Sequence, residues 1–165
     1  MTRLRQLDPG SFATFFDTVV ACYANDNVAS GRWIADEALD LARAETTALL
    51  PDGPNTPNHQ LFEIEDEHSG ERVGFLWLAT VRRGSRTAGY LYQLIVLPQH
   101  RRRGHAHAAL RCAAEIAQSQ GHSSLELHVF AHNGSAQALY RALGYEVTSM
   151  NMAIPLFAHN RVSAN

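Results

Sequence analysis

A basic turn at residues 98–106 combines residue types and spacing that suit the binding of a phosphate group. An apolar strand ends at Pro98, three consecutive arginines follow at 101–103, and an alanine-rich helix is predicted over residues 104–120. The first N–H groups of a helix have no intrahelical acceptor, and the helix dipole adds positive charge at the same end. These amides and arginines together predict a site for an anion such as a pyrophosphate.

The spacing of apolar residues predicts the elements that position this turn. One helix is predicted from Phe12 to Tyr23 with Asp8 or Ser11 as its cap, a second over residues 34–50, and a short one after Asn133. Strands are predicted over residues 3–6, 60–65, 73–82, 88–96, 124–130 and 145–154. Antiparallel strands followed by a strand-helix-strand-helix-strand tail predict an α/β fold with a mixed, mostly antiparallel sheet flanked by helices.

Length and composition limit the classes of protein to consider. The 165 residues, 45 % of them hydrophobic, are enough for one domain over residues 1–165 with its own core. A net charge of −2 makes the arginine cluster a local feature, which argues against nucleic acid as a partner. Two distant cysteines, no signal peptide and no membrane-spanning apolar run predict a soluble cytoplasmic protein without a membrane partner.

Two segments of the chain resemble the GCN5-related N-acetyltransferase (GNAT) superfamily. Arg101-x-x-Gly104-x-Ala106 is similar to the family's acetyl-CoA signature of Arg or Gln, two residues, Gly, one residue, then Gly or Ala. The segment from Leu127 to Tyr145 looks like the family pattern L-x-V-x-x-x-N-x-x-A-x-x-L-Y-x-x-x-G-F/Y. The resemblance covers about residues 60–152 and implies a GNAT-like domain whose sheet is splayed at the acetyl-CoA site.

The resemblance implies acetyl-CoA as the cosubstrate. The turn would surround the pyrophosphate with backbone amides, and the strand edge before Pro98 would hydrogen-bond the pantetheine arm. The implied cofactor-binding residues are Leu94, Ile95, Val96, Arg101, Arg102, Arg103, Gly104, His105, Ala106, His107, Asn133 and Tyr140. No metal site is predicted, because His105 and His107 are two residues apart and would lie on different faces of a helix.

The resemblance assigns a catalytic role to Tyr140. The matching tyrosine of the family lies near the cofactor sulfur, which implies that Tyr140 protonates the departing CoA thiolate. The alternative is a packing role for a half-buried tyrosine. Asn133 likewise has two interpretations, a contact to the cofactor or a helix N-cap, and the two are compatible.

The general base is the point at which the chain departs from the family pattern. Tyr90 stands where the histone-modifying branch has a glutamate, and Gln93 stands where many relatives have an acid. The remaining candidates are Glu63, Glu65, Glu126 and His128, or a chain of waters. Glu126 and His128 share one face of their predicted strand, and imidazole has the best unperturbed pKa for the task.

Two functions are compatible with these residues. The first is an acetyl-CoA-dependent N-acetyltransferase, in which a primary amine of a small molecule, peptide or protein attacks the thioester directly in a ternary complex. A backbone amide near Val96 would hold the tetrahedral intermediate. The alternative is a CoA-binding domain of weak or no activity that acts as a sensor or interaction module, and Tyr90 and Gln93 support it. A homodimer is compatible with the resemblance.

Overall fold

The computed structural model describes residues 1–154 and 156 of the chain. The strands are β1 (Thr2–Gln6), β2 (His59–Asp66), β3 (Glu71–Arg83), β4 (Arg86–Val96) and β5 (Leu125–Leu127). The helices are α1 (Phe12–Ala29), α2 (Ala35–Leu49), α3 (His105–Ser119) and α4 (Gly134–Ala142). Residues 155 and 157–165 of the predicted domain lie outside the described residues.

The five strands form one open sheet in the order β1-β2-β3-β4-β5. Neighbouring strands are antiparallel from β1 to β4, and β5 pairs with β4 in parallel. β2 and β3 are joined by a short connection and form an antiparallel hairpin. The prediction of a mixed, mostly antiparallel sheet flanked by helices is therefore confirmed.

Helices cover both faces of the sheet. The small buried residues Ala109, Ala113 and Ala117 recur every four positions on α3, so this helix packs closely on one face. On the other face Phe15 and Val19 of α1 pack against Phe75 and Trp77 of β3, and α2 packs outside α1. None of the helices in the described part of the chain is long and apolar enough to cross a membrane.

A β-bulge in β4 accompanies the opening of the sheet. Trp77 pairs with Gln93 and Leu78 pairs with Leu91, so Tyr92 is an extra residue between them. A bulge bends its strand and increases the local twist. Pairing between β4 and β5 ends at Leu91 and Leu127, immediately before the bulge. The predicted splay of the sheet is confirmed, and one edge of β4 is left open beyond this point.

Two predictions about the C-terminal strands are wrong. The strand predicted over residues 124–130 is only three residues long, from Leu125 to Leu127, because β4 diverges after Leu91 and offers no further partner. The strand predicted over residues 145–154 is not formed, and these residues are irregular. Apolar alternation alone does not make a strand, since a strand needs a neighbour for its backbone hydrogen bonds.

Candidate active site

The open edge of β4 forms one side of the site. Leu94, Ile95 and Val96 pair with β3 on one side, whereas β5 has already separated on the other. The Arg101 Nε–H donates a hydrogen bond to the Val96 carbonyl at 3.0 Å. Arg101 thus ties the basic turn to the end of the strand, and the edge between Tyr92 and Val96 faces the gap.

The turn itself has the backbone geometry that an anion site requires. Arg102 and Gly104 both have positive φ angles, +61° and +84°. Glycine adopts this conformation without strain. Nothing lies within 4 Å of the position that a Gly104 Cβ would occupy, so this side of the turn is open to a ligand. Among the described residues, the N–H groups from Arg102 to His107 donate to no backbone carbonyl, and these amides are available to a phosphate.

The histidines beside the turn differ in exposure. His105 is buried, and its Nδ1 lies 2.9 Å from the Thr2 hydroxyl in a hydrogen bond with β1. Its ring therefore anchors α3 to the sheet. His107 is exposed. Within residues 1–154 and 156, no three His, Cys, Asp or Glu side chains are grouped as metal ligands would be.

A cavity of about 460 Å³ lies where β4 and β5 separate. Leu94 and Gln93 of β4 contribute to one wall, and His128 lies on the segment after β5. Asn133 and Tyr140 border it from the start and the middle of α4. Side chains of α1 and α2 form a further wall of the cavity. The cavity therefore connects the open strand edge with Tyr140 and His128, two of the side chains predicted for catalysis.

Tyr140 has the properties of a proton donor. Its side chain is half-buried, and burial raises the pKa of the phenol, with a smaller contribution from the Asp26 carboxylate. The phenol therefore stays protonated at neutral pH. The predicted cap of α4 is confirmed, because the Asn133 Oδ1 accepts a hydrogen bond from the Ala136 N–H at 3.2 Å. This cap fixes the first turn of the helix that carries Tyr140.

The two predicted base residues after β4 lie in different surroundings. His128 is exposed, borders the cavity and packs edge-on against Phe130 with ring centroids 5.1 Å apart. The Glu126 carboxylate accepts hydrogen bonds from Arg83 at 2.8 and 2.9 Å and from the Ser124 hydroxyl at 3.1 Å. Glu126 does not border the cavity. Its role as a base stays a prediction.

The other two acidic candidates, Glu63 and Glu65, belong to a buried ionic network. Glu63 is bound by Arg5 and by Arg72, the latter at 3.1 Å, and Glu65 is bound by Arg3 at 2.6 Å. Neither carboxylate borders the cavity. Buried carboxylates need such partners. The arginine ion pairs therefore explain the presence of Glu63 and Glu65 in the structure without a catalytic role.

The sequence analysis missed the acidic residues that α1 and α2 bring to the cavity. Asp26 and Glu45 border it together with Tyr23, whose hydroxyl donates a hydrogen bond to Glu45 at 2.7 Å. Burial raises the pKa of Asp26, and the charge of His132 partly opposes this shift. A signal was present: Val19, Tyr23 and Asp26 are spaced four and three residues apart, which places a carboxylate on the apolar face of α1.

Aromatic side chains line the sheet side of the cavity. Trp77 and Tyr92 stack with ring centroids 4.7 Å apart, and Tyr90 packs edge-on against Tyr92 at 4.8 Å. The Trp77 Nε1–H donates to the His59 Nδ1 at 2.9 Å, which fixes the indole. Tyr90, which the sequence analysis matched to a glutamate of the histone-modifying branch, borders the cavity, and burial raises the pKa of its phenol. A phenol in this state is not a base at neutral pH.

The open sheet, the free amides of the basic turn and the tyrosine beside the cavity are features of one class of protein, the acyl-transferring enzymes that use a phosphate-bearing donor. Residues 32–145 match the acetyltransferase (GNAT) family. YdgE of Bacillus subtilis, an uncharacterised N-acetyltransferase, is 32 % identical over 149 residues, which are 90 % of this chain and 94 % of YdgE. The chain belongs to the GNAT family and is an N-acetyltransferase, and this family uses acetyl-CoA as its cosubstrate.

Solved structures agree with the family assignment. The crystal structure of YycN of Bacillus subtilis superposes with a TM-score of 0.89 at 29 % identity, covering 96 % of this chain and all of YycN. A GCN5-related N-acetyltransferase from Ralstonia eutropha has a TM-score of 0.72 at 20 % identity, covering 93 % of this chain and 99 % of that one. The similarity to the Ralstonia eutropha protein is evidence for the fold only.

Proposed function

We propose that the protein transfers the acetyl group of acetyl-CoA to a primary amine of a small molecule, peptide or protein by direct attack in a ternary complex. The observation that carries this proposal is the cavity that joins the open edge of β4 to Tyr140 and to two carboxylates. A donor on one side and an amine on the other would meet there without a covalent enzyme intermediate. The free thiols Cys22 and Cys112 support a reducing compartment, the cytoplasm.

The residues present fit the donor. Backbone amides from Arg102 to His107 suit the pyrophosphate, with Arg101 and Arg103 beside them. The open backbone edge at Leu94 to Val96 suits the amide groups of a pantetheine arm, which would add to the sheet as a further strand does. When bound, acetyl-CoA supplies an activated acetyl thioester. Asn133 and Tyr140 border the cavity at the other end of this path.

The acceptor side has two carboxylates, Asp26 and Glu45, and one cation, Arg32, so its net negative charge suits a cationic amine. Asp26 and Glu45 present carboxylates to the cavity, and neither makes an ion pair within the part of the chain that the structure describes. The aromatic wall of Trp77, Tyr90 and Tyr92 would cover the carbon chain of the acceptor and attract its ammonium group. An ammonium must lose a proton before it attacks the thioester, so the site needs a base.

Asp26 is the base that the geometry favours. It is half-buried and close enough to Tyr140 for its charge to raise the pKa of that phenol. His128, one of the candidate bases predicted from the sequence, borders the same cavity but is exposed to solvent. Tyr140 holds the proton that the departing thiolate takes, and a backbone amide near Val96 would stabilise the oxyanion.

The second candidate function is a CoA-binding domain without efficient turnover. Tyr90 and Gln93 favour it, because both border the cavity at positions where relatives have acids. Measuring the release of free thiol from acetyl-CoA with a panel of primary amines separates the two functions. Turnover with an amine supports the transferase, whereas thermal stabilisation by acetyl-CoA without turnover on any amine supports the binding domain.

Acetyl-CoA is expected to raise the melting temperature, and Gly104→Ala is expected to remove this effect. At a ligand concentration of 100 Kd, binding stabilises a protein by about 2.7 kcal/mol, which corresponds to roughly 5–10 °C for a chain of this size. A Cβ at Gly104 would occupy the open side of the turn. Differential scanning fluorimetry with and without acetyl-CoA measures the shift.

The matched control for this experiment is Gly121→Ala at the other end of α3. Gly121 also has a positive φ, +74°, and open space around it, so both variants carry the same backbone strain. Only the Gly104 variant should lose the response to acetyl-CoA. Equal responses of the two variants would contradict the assignment of the turn, and no response of the unmodified protein would contradict donor binding.

Asp26→Asn is expected to lower kcat/KM for the amine at least tenfold, about 1.4 kcal/mol. The carboxylate acts as a base only when it is ionised, and burial raises its pKa. Activity of the unmodified protein should therefore fall as the pH drops through this raised value, and the variant should lose that acidic limb. The pH profile of kcat/KM measures both effects.

Asp17→Asn is the control, because Asp17 lies on the same helix and pairs with Arg43 at 3.1 Å away from the cavity. Its profile should match that of the unmodified protein. If Asp26→Asn keeps the acidic limb and His128→Gln loses it, the base is His128 and the assignment to Asp26 is wrong.

A further inference from the structure

The part of the cavity around Tyr23 carries charges of both signs. The Glu45 carboxylate borders the cavity and accepts a hydrogen bond from the Tyr23 hydroxyl at 2.7 Å. Arg32 borders the cavity as well. Burial raises the pKa of Tyr23, Glu45 raises it further, and the charge of Arg32 partly opposes this shift. A carboxylate and a guanidinium therefore lie close to the same hydroxyl.

Arg32 is held in place through its backbone and its side chain. The Asn27 carbonyl accepts hydrogen bonds from the Arg32 N–H at 3.0 Å and from the Trp33 N–H at 3.3 Å. The guanidinium lies over the Trp33 ring, 5.8 Å from its centroid, and this ring packs edge-on against Tyr23 with centroids 5.2 Å apart. A guanidinium on an aromatic ring keeps its N–H donors for a carboxylate. Arg32 is thus preorganised beside Tyr23 to bind an anionic group.

A second group of polar side chains, Asp26 and Tyr140, lies farther along α1. Both border the cavity, and the charge of Asp26 acts on the phenol of Tyr140. Tyr23 and Asp26 are three residues apart on α1, so their side chains leave the same face about one turn apart, with Cβ atoms roughly 5–6 Å from each other. The cavity therefore presents Glu45 and Arg32 at one place and the reacting groups at another, separated by the length of a short carbon chain.

We propose that the acceptor is a free diamino carboxylic acid, an α-amino acid whose side chain ends in a primary amine. Its α-ammonium binds Glu45, its α-carboxylate binds Arg32, and its terminal amine reaches Asp26 and Tyr140. The charges of such an acid, two positive and one negative, are the reverse of those of Asp26, Glu45 and Arg32. The inference rests on the proposed acetyl transfer to a primary amine and adds the class of acceptor.

The rest of the cavity suits the carbon chain and the reaction of such an acceptor. The stacked rings of Trp77 and Tyr92 cover the methylene groups. The terminal ammonium gives one proton to Asp26 before it attacks. The C–N bond then forms as the C–S bond of the thioester breaks, Tyr140 protonates the departing thiolate, and the proton that the new amide nitrogen loses restores Tyr140. The product is acetylated at the terminal nitrogen and keeps its α-amine.

The charges beside Tyr23 also discriminate against other amines. A lysine within a peptide has amides in place of its α-amine and α-carboxylate, so it would leave both Glu45 and Arg32 without a charged partner. A simple diamine would bring a second cation to Arg32, and an amino acid with only a terminal amine would bring its carboxylate to Glu45. Binding any of them would leave a desolvated charge in the cavity without its partner.

The experiment compares acceptors that differ by one charged group. The better of L-lysine and L-ornithine is compared with the same chain without its carboxylate, a diamine, and without its α-amine, an ω-amino acid. Measured by thiol release from acetyl-CoA, kcat/KM for the diamino acid should exceed that for either of the others by about tenfold or more, because each lost group removes a charge-assisted hydrogen bond. Mass spectrometry of the product should place the acetyl group on the terminal nitrogen.

Two substitutions should each remove one of these preferences. Arg32→Gln should lower the preference over the diamine by about tenfold or more, and Glu45→Gln should lower the preference over the ω-amino acid by a similar factor. The matched control for the first is Arg43→Gln, since Arg43 also lies over an aromatic ring, Phe16 at 5.6 Å, and does not border the cavity. Glu37→Gln, in the first turn of α2, is the control for the second. Both controls should keep both preferences.

Other outcomes contradict the inference in distinguishable ways. Equal kcat/KM values for the three compounds would exclude this class of acceptor and leave acetyl transfer intact. A higher value for Nα-acetyl-lysine amide would show a peptide acceptor, and acetylation of the α-nitrogen would exclude the assigned orientation. If a variant fails to fold, the comparison of acceptors on the unmodified protein still decides.

If no amine releases thiol, the proposed function fails, and calorimetric titration of the three compounds into the protein with CoA tests recognition by itself. Tighter binding of the diamino acid would support the assignment of Glu45 and Arg32, whereas equal or undetectable binding would overturn it.

Discussion

Replacing Tyr140 by phenylalanine is expected to lower kcat about 100-fold and to leave KM for acetyl-CoA unchanged, because a general acid contributes roughly 10²–10⁴ in rate. The substitution removes the hydroxyl and keeps the ring that packs against Tyr145. Burial and the Asp26 charge keep the phenol protonated, so the unmodified residue has a proton available throughout the neutral range. Steady-state kinetics with the best amine of the panel measures both constants.

Tyr145→Phe is the matched control for this substitution. Tyr145 lies beside Tyr140, burial raises its pKa to about 12, and its hydroxyl has no hydrogen-bond partner within the described residues. It does not border the cavity. Removing its hydroxyl should therefore leave kcat unchanged. Equal kcat values for Tyr140→Phe and the unmodified protein would remove Tyr140 as the acid, and a raised KM alone would indicate a binding role.

The local elements of this fold could be predicted because each of them follows from nearby residues. Apolar alternation located β2, β3 and β4 to within a few residues, and the alanine stripe of α3 predicted the helix that packs closely on the sheet. Gly104 predicted the turn before α3, and Asn133 predicted the cap of α4. In each case the residues that determine the local structure are close together in the sequence.

Features that depend on distant pairing could not be predicted in the same way. The bulge at Tyr92 depends on how β4 aligns with β3, and nothing within β4 marks the extra residue. The end of β5 is decided by the divergence of β4, so the apolar alternation after Leu127 has no pairing strand. The strand predicted over residues 145–154 shows the same limit, since the apolar alternation suits a strand but does not specify its partner.

The two carboxylates of the cavity, which we propose to face the acceptor, were missed for a related reason. Asp26 and Glu45 lie on different helices, and in the sequence each resembles a solvated helix residue. They meet because α1 packs on the sheet beside Trp77 and α2 packs on α1. A carboxylate on an apolar helix face is a weak signal on its own. It becomes a site only when tertiary packing places Tyr140 opposite it.

Gly74→Ala is expected to have the largest effect on stability. Gly74 of β3 pairs with Val96, and a Cβ at this position would lie 2.0 Å from the Ile95 carbonyl oxygen. The obstacle is backbone and cannot rotate away, so β3 and β4 must separate. Overpacking of this kind costs about 3 kcal/mol, which lowers the melting temperature of a chain of this size by roughly 6–12 °C.

Because the displaced segment is the edge of β4 that we propose for the cofactor, the same substitution should weaken acetyl-CoA binding in whatever fraction stays folded. Gly134→Ala is the matched control, since Gly134 has no positive φ and nothing lies within 4 Å of its Cβ position. That variant should keep its melting temperature and its response to acetyl-CoA. An unchanged melting temperature for Gly74→Ala would mean that the two strands are not in the close register that positions Leu94 to Val96, and the placement of the donor along this edge would then fail.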